Sequence, residues 1–127
     1  MRLTTLFFTF LFGFSLFACS SASASPSVIS AREGKAMLDG DDEVILVDVR
    51  TLEEYQEEHI PGAILIPLSD LAADADALLP DLDAKIIVYC RSGNRSAQAA
   101  TLLDGLGYTR IYDMGGIIDW PYETTAE

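Results

Sequence analysis

The sequence predicts an α/β fold with a central, mainly parallel β-sheet flanked by helices on both faces. Three observations predict it. Short apolar, β-branched runs alternate with helix-type segments, which is the pattern of βα units. The runs are apolar at successive rather than alternate positions, so the sheet is covered on both sides. The chain of 127 residues suits one such core, with no internal repeat and no linker between two domains.

Residues 1–24 stand apart from that pattern. They carry one charge, Arg2, and every acidic residue lies from Glu33 onward. A basic start, an apolar run from Leu6 to Cys19 and then small residues follow the order of an export signal. The run is shorter than the roughly 18–20 residues that span a bilayer. Ala22-Ser23-Ala24 fits a small-x-small cleavage site and leaves a single domain over 25–127. Leu16-Phe17-Ala18-Cys19 fits a lipoprotein site less well, because Phe17 is large. The expectation is an exported protein, periplasmic or secreted, with a membrane attachment only if Cys19 is lipidated. Either route leaves Cys90 as the one free thiol in an oxidising compartment, where an unpaired cysteine needs a reason.

The mature elements follow in order. Ser30 and Glu33 form a capping box that starts a helix to about Asp39, stopped by Gly40. Val44 to Val47, ending at Asp48, reads as a buried strand. Thr51 and Glu54 form a second capping box for a helix to about Glu58. Pro61-Gly62 is a turn, and Ala63 to Ile66 is a second strand closed by Pro67. Ser69 to Leu79 has helical spacing, and Lys85 to Tyr89 is a third strand. A polar loop runs from Cys90 to Arg95, and Ser96 begins a helix that Gly107 ends. Thr109 to Tyr112 is a last short strand, and Gly115-Gly116 opens a short helix containing Trp120.

In an open α/β sheet the site lies beyond the carboxyl ends of the strands. Asp48-Val49-Arg50 and Cys90 both fall there. The reactive form of cysteine is the thiolate, which positive charge and helix N-termini favour. The loop Cys90-Arg91-Ser92-Gly93-Asn94-Arg95 leads into a helix start and can curl its backbone N–H groups inward as an anion nest. Gly93 supplies the freedom that such a curl requires. Eight basic residues against 20 acidic ones give a net charge of −12, which argues against nucleic acid and anionic lipid as partners. Arg50, Arg91 and Arg95 near one loop therefore suggest a small dianion.

Cys90-Arg91-Ser92-Gly93-Asn94-Arg95-Ser96 resembles the active loop of rhodanese-like sulfurtransferases. Asp48-Val49-Arg50, Glu54-Tyr55, His59-Ile60-Pro61-Gly62-Ala63 and Ile66-Pro67 resemble that family's second signature, and Gly115-Gly116 with Trp120 its C-terminal pattern. The resemblance covers about Val28 to Tyr122 and is closest in plan to small exported single-domain members. One departure is Glu58, where the family spacing has glycine before the histidine. On a surface helix end it is expected to matter little. The short stretch after Trp120 is not expected to cover the site.

The resemblance implies a rhodanese-like fold and a persulfide-forming Cys90. Cys90 would attack the outer sulfur of thiosulfate and release sulfite. Cyanide or a thiol would then take the sulfur, in two half-reactions. Arg91, Ser92, Gly93, Asn94, Arg95 and Ser96 would form the substrate loop, with Arg95 either facing the anion or bracing the loop on a carboxylate such as Asp48. Asp48 and Arg50 would support the site from behind, and His59 would cap or pack. No metal or organic cofactor is implied, and the charge weighs against self-association.

Two other readings remain open. A sulfur carrier or binding module would hand persulfide to a partner protein. A cysteine-loop phosphatase or arsenate reductase would read Cys-x5-Arg. Here that position is Ser96, and Arg95 comes one residue early. The shorter loop suits one sulfur better than a phosphate.

Overall fold

The computed structural model describes residues 25–40 and 42–127. The export segment expected at 1–24, with both cleavage sites and Cys19, lies outside the described residues.

Five strands form one sheet in the order β1-β5-β4-β2-β3, every neighbouring pair parallel. The strands are β1 (Ser27–Val28), β2 (Val44–Asp48), β3 (Ile64–Leu65), β4 (Lys85–Cys90) and β5 (Arg110–Gly116). The helices are α1 (Ala31–Asp39), α2 (Leu52–Glu57), α3 (Leu68–Leu78) and α4 (Asn94–Gly105), and a 3-10 turn follows at Ile117–Asp119. The fold is the α/β architecture that the sequence predicted, a parallel sheet with helices on both faces.

Period-two geometry divides the sheet into two cores. Along β4, Ile86, Val88 and Cys90 pack with Leu71, Ala75, Ala99, Ala100 and Leu103 of α3 and α4. Ile87 and Tyr89 face the other way, toward Leu46, Ile60, Ala63 and Met114, with Met37, Tyr55 and Trp120 packed around them. Both faces are covered, which is why the strands read as unbroken apolar runs.

The two predicted capping boxes form. Ser30 Oγ accepts the Glu33 N–H at 3.1 Å, and the Glu33 carboxylate accepts the Ser30 N–H at 2.7 Å. Thr51 and Glu54 repeat the exchange at 3.3 and 3.0 Å. α3 has no side-chain cap and begins one residue earlier than expected, directly after Pro67, whose φ of −53° suits a helix start. Tyr108 closes the other end of α3 by donating to the carbonyls of Ala75 and Leu79.

Other elements also differ from the sequence reading. α4 starts at Asn94 rather than Ser96, because Gly93 at φ 105° turns the chain into the helix earlier. The strand expected at Ala63 to Ile66 pairs only at Ile64–Leu65. β5 runs on to Gly116, so Gly115-Gly116 end a strand instead of opening a helix, and Trp120 follows the 3-10 turn. β1 is a two-residue edge strand on β5, too short to leave a pattern.

The carboxyl ends of β2, β4 and β5 lie side by side. Asp48 sits opposite Tyr89, and Cys90 opposite Gly116. Between Val88 and Cys90 the register shifts, so a two-residue step on β4 faces a three-residue step on β5. Asp113 Oδ1 accepts the Gly115 N–H at 2.9 Å within that irregularity.

A polar network underlies these ends. Asp48 is fully buried and Arg50 is 5% exposed. Arg50 donates from Nε and Nη2 to the Asp48 carboxylate at 2.7 to 3.1 Å, and from Nη2 to the Glu58 carbonyl at 2.6 Å. The Tyr89 hydroxyl donates to Asp48 Oδ2 at 2.8 Å and accepts the Ile60 N–H at 3.1 Å. Removing one partner of a buried ion pair leaves an uncompensated charge. Asp48→Ala is therefore expected to lower unfolding free energy by about 3 kcal/mol, and Asp48→Asn by less, since it keeps an acceptor for Tyr89 and Arg50. Urea titrations of the two variants check this ordering.

Candidate active site

Cys90 is the last residue of β4 and is 1% exposed. Its side chain lies on the α4 side of the sheet, and the loop after it folds over the sulfur. The Gly93 N–H donates to Cys90 Sγ at 3.0 Å. The N–H groups of Ser92 and Ser96 also act on the sulfur. The Ser96 hydroxyl donates to the Gly93 carbonyl at 3.0 Å and also favours the thiolate. The Gly93 φ of 105° turns these successive N–H groups to one side, the arrangement of an anion nest. The start of α4 adds the positive end of its dipole.

Two effects compete at the thiol. Burial pushes its pKa up, because it disfavours the charged form. The hydrogen bonds from Ser96, Gly93 and Ser92 favour the thiolate and win, so the pKa lies below the ordinary thiol value. The predicted thiolate cradle is thus built mainly of backbone.

The arginines divide their work. Arg91 is exposed at the rim, with its carbonyl held by the Ile118 N–H at 3.3 Å. It lines a cleft of about 340 Å³ with Arg50, Glu54, Glu57, Glu58, Ile117 and Ile118. Arg95 forms a two-pronged pair with Glu54, Nη1 to Oε2 at 2.7 Å and Nη2 to Oε1 at 2.9 Å, and its charge also reaches Cys90. Of the two roles open to Arg95 in the sequence, the geometry is the bracing one. Its partner is Glu54 rather than Asp48, because Arg50 already occupies Asp48. Asn94 is exposed and accepts from Gln98 Nε2 at 3.3 Å along α4.

His59 stacks on Tyr55 with ring centroids 3.7 Å apart, and its Nδ1 lies 2.7 Å from the Tyr55 carbonyl. Its backbone exchanges hydrogen bonds with Thr125 at 2.8 and 2.9 Å. It is a packed residue, as expected. Glu58 ends α2 at φ −166°, extended backbone that any residue adopts, so glycine is not required there. Among the described residues, no three His, Cys, Asp or Glu side chains gather to hold a metal ion. Also among them, no helix is long and apolar enough to cross a membrane.

Sequence reasoning missed the second use of Glu54. As N3 of a capping box it was legible, but its ion pair spans 41 residues of chain and has no local signal.

Known proteins of similar sequence and shape bear on this site. A family model described as rhodanese-like domain matches residues 30–121. The thiosulfate sulfurtransferase PspE of Escherichia coli (strain K12) is 41% identical over 73 residues, covering 58% of this chain and 70% of that protein. A sulfurtransferase of Allochromatium vinosum is 39% identical over 80 residues, covering 62% and 73%. A solved structure of rhodanese with anions from E. coli superposes with a TM-score of 0.64 at 35% identity, covering 67% of this chain and all of that one.

The Glu54–Arg95 pair makes the site sensitive to acid. The Arg95 guanidinium, helped by hydrogen bonds from the Thr51 N–H and hydroxyl, lowers the Glu54 pKa from 4.5 to about 2 against the opposing effect of burial. A carboxyl whose folded pKa is depressed stabilises the fold fully above its unfolded value and loses that contribution on protonation. The pair's contribution is therefore complete above pH 4.5 and lost as pH falls toward 2. Stability measured across that window should fall less steeply in Glu54→Gln than in the native protein. Parallel curves would remove the pair from the acid response.

Proposed function

Because the chain belongs to the rhodanese-like domain family, we propose that it moves a sulfane sulfur from thiosulfate, or a donor like it, to cyanide or a thiol through a persulfide on Cys90. The observation that carries this reading is the Gly93 N–H donated to the Cys90 sulfur at 3.0 Å, in a loop whose Ser96 and Ser92 N–H groups also favour the thiolate. Relatives described as thiosulfate sulfurtransferase and sulfurtransferase support sulfur transfer as the class of reaction.

The Cys90 thiolate attacks the outer sulfur of thiosulfate. A new S–S bond forms to Cys90, the S–S bond of thiosulfate breaks, and sulfite leaves with the bonding electrons. The acceptor, cyanide or a thiolate, then attacks the outer persulfide sulfur, and Cys90 departs as the thiolate again. The same N–H donors serve both states, because each places negative charge in one cradle.

Arg91 is free at the rim to meet the donor dianion, while Arg95 holds the start of α4 through Glu54. Ser92, Gly93 and Ser96 supply the donors, and Asn94 stands at the helix start. Asp48 and Arg50 hold the floor. A phosphatase or arsenate reductase reading finds less support, because the arginine nearest the Cys-x5-Arg position is spent on Glu54. No cofactor takes part. The same proposal includes export, with residues 1–24 removed before Ser25.

Intact mass with and without thiosulfate tests the first half-reaction. The expected result is a gain of one sulfur atom, reversed by cyanide and absent in Cys90→Ala. A folded protein that gains none would redirect the search to phosphate and arsenate. If sulfur loads but neither cyanide nor small thiols remove it, the acceptor is a protein. Arg91→Ala should raise the thiosulfate KM by about tenfold, the loss of one charge-assisted contact, with unfolding unchanged. The N-terminal mass of the exported protein should read from Ser25, whereas detergent partition abolished by Cys19→Ala would establish lipidation instead.

A further inference from the structure

We propose that Gly116 is a positioning residue for the Cys90 site: its lack of a side chain lets the Arg91–Ser92 peptide lie with its N–H turned toward the sulfur. The inference rests on the reading of Cys90 as the nucleophile.

Gly116 pairs with Cys90 across the β4–β5 ladder. A Cβ built there would run into the Arg91 carbonyl oxygen, and would lie 2.6 Å from the Arg91 carbonyl carbon and 2.7 Å from Ser92 Cα. Those three atoms belong to one peptide unit, whose Ser92 N–H favours the Cys90 thiolate, and the next N–H in the loop, that of Gly93, donates to the sulfur at 3.0 Å. The obstruction is backbone, so it cannot be relieved by turning a side chain. Gly34 shows the contrast, since a Cβ there meets the Met114 sulfur, the movable end of a flexible side chain.

The demand at Gly116 is for space alone. Its φ of −110° is open to any residue. Its neighbour Gly115 has a different reason, a φ of +77° with no heavy atom near its missing Cβ. Together the pair forms a flat backbone surface on which the loop rests, with Gly93 also close above the Gly115 Cα, since a Cβ on Gly93 would be 3.6 Å from it. Two hydrogen bonds fix this surface, Gly115 N–H to Asp113 Oδ1 and Ile118 N–H to the Arg91 carbonyl.

A methyl at position 116 must lift the Arg91–Ser92 peptide and swing its N–H off the sulfur. The thiolate then loses one donor while its burial remains.

The test is the pH dependence of Cys90 alkylation by iodoacetamide, followed by mass, alongside the rate of sulfur loading from thiosulfate. In Gly116→Ala the alkylation midpoint should rise by about one pH unit, and the loading rate near neutral pH should fall by about tenfold. Gly105→Ala, at an α4 position with open space around it, should change neither. A folded Gly116→Ala with the native alkylation profile overturns the proposal. If Gly116→Ala does not fold, Asp113→Ala decides. By releasing the Gly115 N–H it should move the midpoint the same way by a smaller amount, and an unmoved midpoint overturns the proposal. Alkylation needs no sulfur donor. A shifted midpoint in a protein that never loads sulfur would uphold the role of Gly116 and reject thiosulfate.

Discussion

The buried Asp48 carboxylate is the fixed point on which the site depends. It accepts from two groups that would otherwise be costly to bury, the Arg50 guanidinium and the Tyr89 hydroxyl. Tyr89 is the residue before Cys90, and its ring faces the opposite side of the sheet. Anchoring Tyr89 below therefore anchors Cys90 above. A one-residue slip of β4 would exchange the two faces and break the Asp48, Tyr89 and Ile60 bonds together. Arg50 extends the same hold to the end of α2 through the Glu58 carbonyl.

From that fixed point the electrostatics follow. The chain is strongly acidic, yet it collects backbone N–H groups, a helix start and Arg91 around one sulfur. Backbone donors do this without the entropy cost and desolvation that a buried ammonium would bring. Arg95 contributes mainly mechanically, tying the first turn of α4 to α2 through Glu54. The second capping box and this ion pair share one carboxylate, since Glu54 serves both a helix start and a helix-to-helix tie.

What the sequence made legible was local chemistry. Ser30 with Glu33, Thr51 with Glu54, the apolar runs and the polar loop after Cys90 all announce themselves within a few residues. The fold class followed from their order, and the site from the rule that strand carboxyl ends meet. The partner of Arg95 was not legible, because Asp48 and Glu54 are equally plausible in sequence and only the Arg50 clamp excludes the first. The extension of β5 through Gly115-Gly116 was hidden by a dipeptide that usually breaks strands, and here it is tolerated at a register shift. β1 exists only because β5 offers an edge.

The strand order has a consequence for how the protein is made. The first strand pairs with the last, and β4 lies between β2 and β5. A chain emerging from its N-terminus holds Cys90 long before Gly115-Gly116 exist to support the loop. Non-local parallel pairing of this kind is slow to assemble. Until β5 docks, the loop after Cys90 lacks the backbone surface of Gly115-Gly116 against which it packs. The cradle around the sulfur is thus completed by the last strand.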